Sequence, residues 1–139
     1  MRIATRDSEP STRGDAELFT GTVWIDFLQQ PVAPARAQVQ HVTFEPGSRT
    51  VWHSHPLGQL LIVTAGAGWI QRKDEEIAEI RAGDVISIPP GEIHWHGATA
   101  DRVMSFLAIQ EALNGKVVEP LGPVSDQEYL SLRSRADAR

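Results

Sequence analysis

From about Thr22 to Gln110 the chain alternates apolar and polar residues in short runs with a period of two. That period marks strands with one face buried and one face wet. The runs are Thr22–Leu28, Ala37–Phe44, Thr50–His55, Gly58–Thr64, Gly68–Arg72, Glu76–Ile80, Asp84–Ile88, His94–Gly97 and Val103–Gln110. Glycine, proline and acidic turn residues separate them at intervals typical of sandwiches and barrels. Lys73-Asp74-Glu75 reads as a hairpin tip, and Gly91-Glu92 as a turn after Pro89-Pro90. A helical pattern is convincing only near the C-terminus. Ser125 is placed to cap it, and Glu128 follows at the capping-box spacing, so a helix is predicted to about Arg133. The pattern predicts one all-β domain: a polar N-terminal segment over 1–17, a β-barrel over 18–124, and a C-terminal helix and tail over 125–139.

Composition narrows the function more than the fold. With 139 residues the chain suits a single domain that buries its own core. Hydrophobic residues make up 41% and charged residues 22%, as in ordinary globular proteins. A net charge of −5 gives no electrostatic support for a nucleic-acid partner. Without cysteine there are neither disulfides nor thiolate ligands. Met1 to Glu17 lacks the apolar stretch of a signal peptide, and the densest aliphatic patch is only Leu60–Val63. A cytoplasmic protein with no membrane partner is the expectation.

Two patterns carry chemistry. Gly47, His53, His55, Gln59 and Gly66 spell G-x5-H-x-H-x3-Q-x6-G, and Gly83, Pro89, Gly91 and His94 spell G-x5-P-x-G-x2-H. Residues two apart on a strand share a face, so His53 and His55 project together. Gln59 lies beyond the Pro56-Leu57-Gly58 turn, and His94 belongs to a later hairpin. A barrel interior is where they can converge on one ion. Imidazole suits zinc, copper, iron and nickel, while an amide oxygen is tolerated by harder ions such as manganese. His96 shares the parity of His94 without being needed as a ligand, so it reads as a general acid or base. His41 reads as a surface histidine. Gln40, Val42 and Phe44 share one face, as do Met104, Phe106, Ala108 and Gln110.

These two segments resemble the paired motifs of the cupin superfamily, which implies a double-stranded β-helix or jelly-roll barrel. The resemblance puts His53, His55, Gln59 and His94 at the ligand positions. Gln59 replaces the usual glutamate, and Ala98 stands where the second motif usually has asparagine. Val42-Thr43-Phe44-Glu45-Pro46-Gly47, Trp52 to Gln59, His94-Trp95-His96-Gly97 and Leu107 to Glu111 are similar to bacterial cupin hydroxynitrile lyases. That likeness, from about Thr20 to Tyr129, implies one divalent metal, Mn(II) first and then Fe(II), Zn(II) or Ni(II). It implies cleavage of a cyanohydrin such as mandelonitrile to aldehyde and hydrogen cyanide. His96 and Gln110 become the expected catalytic residues, and Gln40, Val42, Phe106 and Leu61 the pocket around a small-molecule substrate. In that group a histidine can occur where this chain has Phe106. The rival readings are a cupin dioxygenase acting on a small carbonyl or phenolic compound, and a cupin that only binds a small ligand. Trp52 and Trp95 have the opposite parity to the ligands and should face outward, which predicts a homodimer or higher homo-oligomer.

Overall fold

The structure, a computed structural model, describes residues 1–5 and 9–130. The expected end of the helix near Arg133 and the tail to Arg139 lie outside the described residues. The strands are β1 (Thr12–Arg13), β2 (Phe19–Thr20), β3 (Val23–Gln29), β4 (Ala37–Phe44), β5 (Arg49–Thr50), β6 (Trp52–Ser54) and β7 (Gln59–Arg72). They continue with β8 (Ile77–Arg81), β9 (Val85–Ile88), β10 (His94–Ala98), β11 (Met104–Glu111) and β12 (Glu119–Gly122). Among the described residues these strands pair antiparallel. No helix among the described residues is long and apolar enough to cross a membrane.

Two runs expected as separate strands, Gly58–Thr64 and Gly68–Arg72, are one 14-residue strand, β7. The reason is that β7 serves two sheets. Its first half pairs with β11 and β9, and its second half with β10 and β8. The change of direction falls at Gly66, whose φ is +75° and whose missing Cβ lets the Val103 carbonyl approach. A register shift between Ser105 and Phe106 on β11 sits at the same level. Such bulges re-aim a strand by adding local twist. The first sheet is β1-β3-β4-β11-β7-β9 and the second is built around β7, β10 and β5, with β2, β6, β8 and β12.

The core lies between the inner faces. Val42, Phe44, Leu61, Val63, Met104, Phe106 and Ala108 form its centre. Alternation along β4, β7 and β11 selects these positions, as the sequence pattern requires. Outside the second sheet a smaller cluster of Trp95, Val124 and Tyr129 is packed with Trp52 and Trp69. Trp95 therefore does turn away from the imidazoles, but it is fully buried under the chain's own C-terminal segment. Its indole N–H donates to Gln71 Oε1 at 2.8 Å, and Trp52 donates to Glu128 Oε2 at 3.3 Å. Trp95 thus supplies no free interface, while Trp52 faces outward but is half-buried against the C-terminal segment.

Described parts of both terminal segments pack on the barrel. Thr12 and Arg13 pair with Ile25 and Trp24 on β3, although 1–17 reads as a polar lead-in. The expected capping box is present: Glu128 N–H donates to Ser125 Oγ and Ser125 N–H donates to Glu128 Oε1, each at 3.1 Å. The helix it starts covers 126–130 within the described residues. Arg49 fastens this segment down. Its guanidinium donates to the Val124 carbonyl at 2.8 Å and to Asp126 at 2.7 Å, and lies 4.5 Å from the centre of the Tyr129 ring. Tyr129 O–H in turn donates to the Ala98 carbonyl at 2.5 Å.

Gly66→Ala is expected to destabilise the fold by about 2 kcal/mol or more, because it adds a left-handed backbone penalty to a clash with a carbonyl. A urea melt checks this; an unchanged midpoint would remove Gly66 as the hinge of β7.

Candidate metal centre and its cavity

Antiparallel register begins the site. His53 on β6 lies directly opposite His94 on β10. Their ring centres are 4.2 Å apart, and the His55 ring is 4.9 Å from that of His53. The two motif turns are tied together at His55, whose carbonyl accepts from both Gly58 N–H at 3.2 Å and Gly91 N–H at 2.9 Å. Positive φ at Gly58 (78°) and Gly91 (76°) makes those turns possible.

Each of the three rings is oriented by a main-chain carbonyl. His53 Nδ1 contacts Val51 O at 2.8 Å, His55 Nδ1 contacts Val117 O at 2.8 Å, and His94 Nδ1 contacts Glu92 O at 2.9 Å. A carbonyl only accepts, so each neutral ring carries its proton on Nδ1 and presents the Nε2 lone pair. The Nε2 atoms of His55 and His94 are buried with no hydrogen-bond partner. Gln59 repeats the pattern with an amide. Its Nε2 donates to Gln110 Oε1 at 2.8 Å, while its Oε1 is buried without a partner. Orphaned buried acceptors are costly unless something positive meets them. Three imidazole nitrogens and an amide oxygen, each held by its other end, fit a divalent metal ion.

His96 differs from these three. It is 2% exposed, and neither ring nitrogen has a partner. The ring stacks on Phe44 at 5.7 Å and meets the edge of Phe106 at 5.1 Å. Ligand-capable nitrogens of His53, His94 and His96 all lie within 4.8 Å of one another, so by distance alone His96, and not the expected His55, joins that pair. It lacks the carbonyl anchor that fixes the other three rings. A ligating histidine almost always has such an anchor, so a role in proton transfer suits His96 better.

A cavity of about 280 Å³ opens beside these groups. His53, His55, Gln59 and His96 line it, with Val42, Phe106 and Ala108 as part of its apolar wall. Gln40 and Gln110 line it as well. His94 is not on the wall, and neither is Leu61, which packs into the core at 1% exposure. Leu61 therefore leaves the expected pocket; its inward parity leads to the core between the sheets. Gln110 is at the wall, but its amide is already engaged, accepting from Gln59 and donating to Gln38 Oε1 at 3.1 Å. Gln40 makes no hydrogen bond of the kind that ties up Gln110. Thr12, Arg13 and Asp15 from the N-terminal segment and Val117 and Val118 from the stretch before β12 also line the cavity. Strand periodicity gives no hint of these, since each lies in a two-residue strand or a loop. His41 is half-exposed as expected, with Nδ1 3.6 Å from Asp26.

The family called "Cupin domain" matches residues 40–110, a span holding both motifs and all four donors. The chain belongs to the cupin family. Against the (R)-mandelonitrile lyase of Granulicella tundricola this cupin is 53% identical over 129 residues, covering 93% of this chain and 98% of that protein. A cupin-like protein from Thermotoga maritima shares its fold with a TM-score of 0.81 and 40% identity, over 88% of this chain and 93% of the other. A polyketide cyclase from Streptomyces resistomycificus, 19% identical with a TM-score of 0.69 over 96% of this chain and 93% of the other, shows the same barrel.

Burial holds the imidazoles of this cupin neutral. Desolvation lowers His53 well below its ordinary value, helped by the neighbouring His94 and His55. It lowers His55 as well, and brings His94 to about 4. For His96 desolvation again dominates, followed by His53, His94 and His55. Between pH 6.5 and about 4 the unfolded chain therefore binds protons that the folded one refuses. Stability is full above pH 6.5 and is lost as pH falls through that window. Chelator-treated protein is expected to show a thermal midpoint that is flat from pH 8 to 7 and declines steadily from about 6.5 to 5. His94→Gln should flatten part of that decline; a profile with no slope in this range would contradict neutral burial.

Proposed function

We propose that this protein is a metal-dependent cyanohydrin lyase that converts an aromatic cyanohydrin such as mandelonitrile to aldehyde and hydrogen cyanide. The observation that carries the reading is an apolar cavity ending on a set of neutral donors, in a chain 53% identical to a mandelonitrile lyase. His53, His55, Gln59 and His94 would hold one divalent ion, with Mn(II) favoured by the hard amide oxygen. When bound, that ion supplies Lewis acidity towards a hydroxyl.

The side chains supply the rest. Val42, Phe106 and Ala108 offer an apolar wall to the aryl group, and the unengaged amide of Gln40 can hold the nitrile. His96, neutral and with both ring nitrogens free, accepts the hydroxyl proton. The oxygen electrons form the aldehyde C=O bond as the bond to the nitrile carbon breaks, and its electron pair leaves with cyanide. The proton on His96 then passes to cyanide, completing hydrogen cyanide. With a divalent ion bound, neutral donors would leave the site near +2, where a glutamate at the fourth position would leave it near +1. The greater positive charge would favour negative charge developing on a substrate oxygen and disfavour the higher oxidation states that oxygen chemistry needs.

Protein loaded with Mn(II) is expected to carry one ion per chain and to release benzaldehyde from mandelonitrile faster than the spontaneous reaction. His96→Ala should keep the metal and lose ~10²–10⁴-fold in turnover. His94→Ala should lose metal and turnover together. Metal analysis on each variant separates the two cases; wild-type turnover by His96→Ala would reduce His96 to a packing residue. No metal-dependent cleavage by the wild type would remove the lyase reading for this substrate.

A further inference from the structure

Three glutamines stand in one row across three adjacent strands. Gln110 on β11 is the register partner of Gln59 on β7 on one side and of Gln38 on β4 on the other. Their amides form a directed chain. Gln59 Nε2 donates to Gln110 Oε1 at 2.8 Å, and Gln110 Nε2 donates to Gln38 Oε1 at 3.1 Å. A longer contact of 3.5 Å runs from Gln38 Nε2 to Gln30 Oε1 near the surface. At the inner end Gln59 Oε1 is buried and unpartnered.

An amide has one accepting end and one donating end, so the chain has only two self-consistent states. In the observed state every oxygen points toward the metal centre. In the reversed state Gln59 would present its NH₂ group to the three imidazole lone pairs, and no amide oxygen would be available to an ion. A single reversed member would set oxygen against oxygen or NH₂ against NH₂. The orientation is therefore shared by the whole row.

We propose that Gln38, remote from the cavity's donors, is a positioning residue: through Gln110 it sets which end of the Gln59 amide faces the metal centre. The proposal rests on Gln59 serving as a ligand. It also makes Gln110 a relay rather than a contact for the nitrile. Because Gln38 is half-buried at the outer end of the row, it can be replaced without disturbing the core.

Two substitutions at Gln38 bias the row in opposite directions. Gln38→Glu gives a group that only accepts, which holds Gln110 and Gln59 as observed. Gln38→Lys gives a group that only donates, which draws the Gln110 oxygen outward and turns the Gln59 oxygen away from the imidazoles. Charge alone would also favour metal binding by the first over the second, so the two variants are repeated with Gln59→Glu. A carboxylate at position 59 has no donating end, and Gln110 must then donate to it and offer its oxygen to position 38. In that background the donating substituent matches the row and the accepting one opposes it.

Metal-stripped protein is titrated with Mn(II), and the free ion is counted by its electron paramagnetic resonance signal. With Gln59 intact, Gln38→Lys is expected to bind about tenfold more weakly than Gln38→Glu, about one hydrogen bond's worth. In the Gln59→Glu background the order should reverse. Equal affinities for the two variants, or the same order in both backgrounds, would overturn the relay. Gln59→Leu separates that outcome from failure of the ligand reading itself. If Gln59→Leu binds Mn(II) as tightly as wild type, Gln59 is not a ligand and the relay has nothing to position.

Discussion

Everything around the site depends on keeping polar nitrogens dry inside an apolar barrel. Burying an imidazole favours its neutral form, and a neutral ring needs a partner for the N–H it retains. Val51, Val117 and Glu92 provide those partners from the main chain, so orienting the rings needs no additional side chain. The same hydrogen bonds leave the other ring nitrogens without protons, each with a lone pair to offer. Neutrality, orientation and readiness to bind a cation thus follow from one circumstance.

That circumstance constrains the surrounding fold. Carbonyls can orient the rings only if β6 and β10 keep the register that sets His53 opposite His94. β10 is buried on both faces, the imidazole side by the core and the other side by Val124 and Tyr129. The Arg49 clamp on the C-terminal segment therefore supports the back of the strand that carries His94 and His96. On the opposite side β7 bends at Gly66, so one strand joins the sheet carrying the glutamine row to the sheet carrying the histidines.

Gln59 lies where these two supports meet. Its backbone belongs to β7, its oxygen faces the imidazoles, and its nitrogen is held by Gln110. Substituting an amide for a carboxylate leaves the centre more positive, but it also introduces a handedness that a carboxylate lacks. A carboxylate accepts at both oxygens, whereas an amide must be told which way to point. The row of glutamines across β7, β11 and β4 answers that need within the sheet's own register.

Most strand runs, the inward parity of His53, His55, His94 and His96, and the turn glycines that allow them to meet can be read from the order of residues alone. Period-two alternation and glycine conformational freedom are local properties, and they survive in any context. The capping box at Ser125 and Glu128 was legible for the same reason. What covers a strand is not local. Trp95 faces away from the histidines as its parity requires, but whether solvent, a second chain or Tyr129 lies there depends on where the C-terminal segment folds back. Leu61 points inward, yet only the packing of two sheets decides whether inward means cavity or core. The merging of two runs into β7, the pairing of Thr12–Arg13 with β3 and the Gln38–Gln110–Gln59 row all come from contacts between distant segments, which no local pattern encodes.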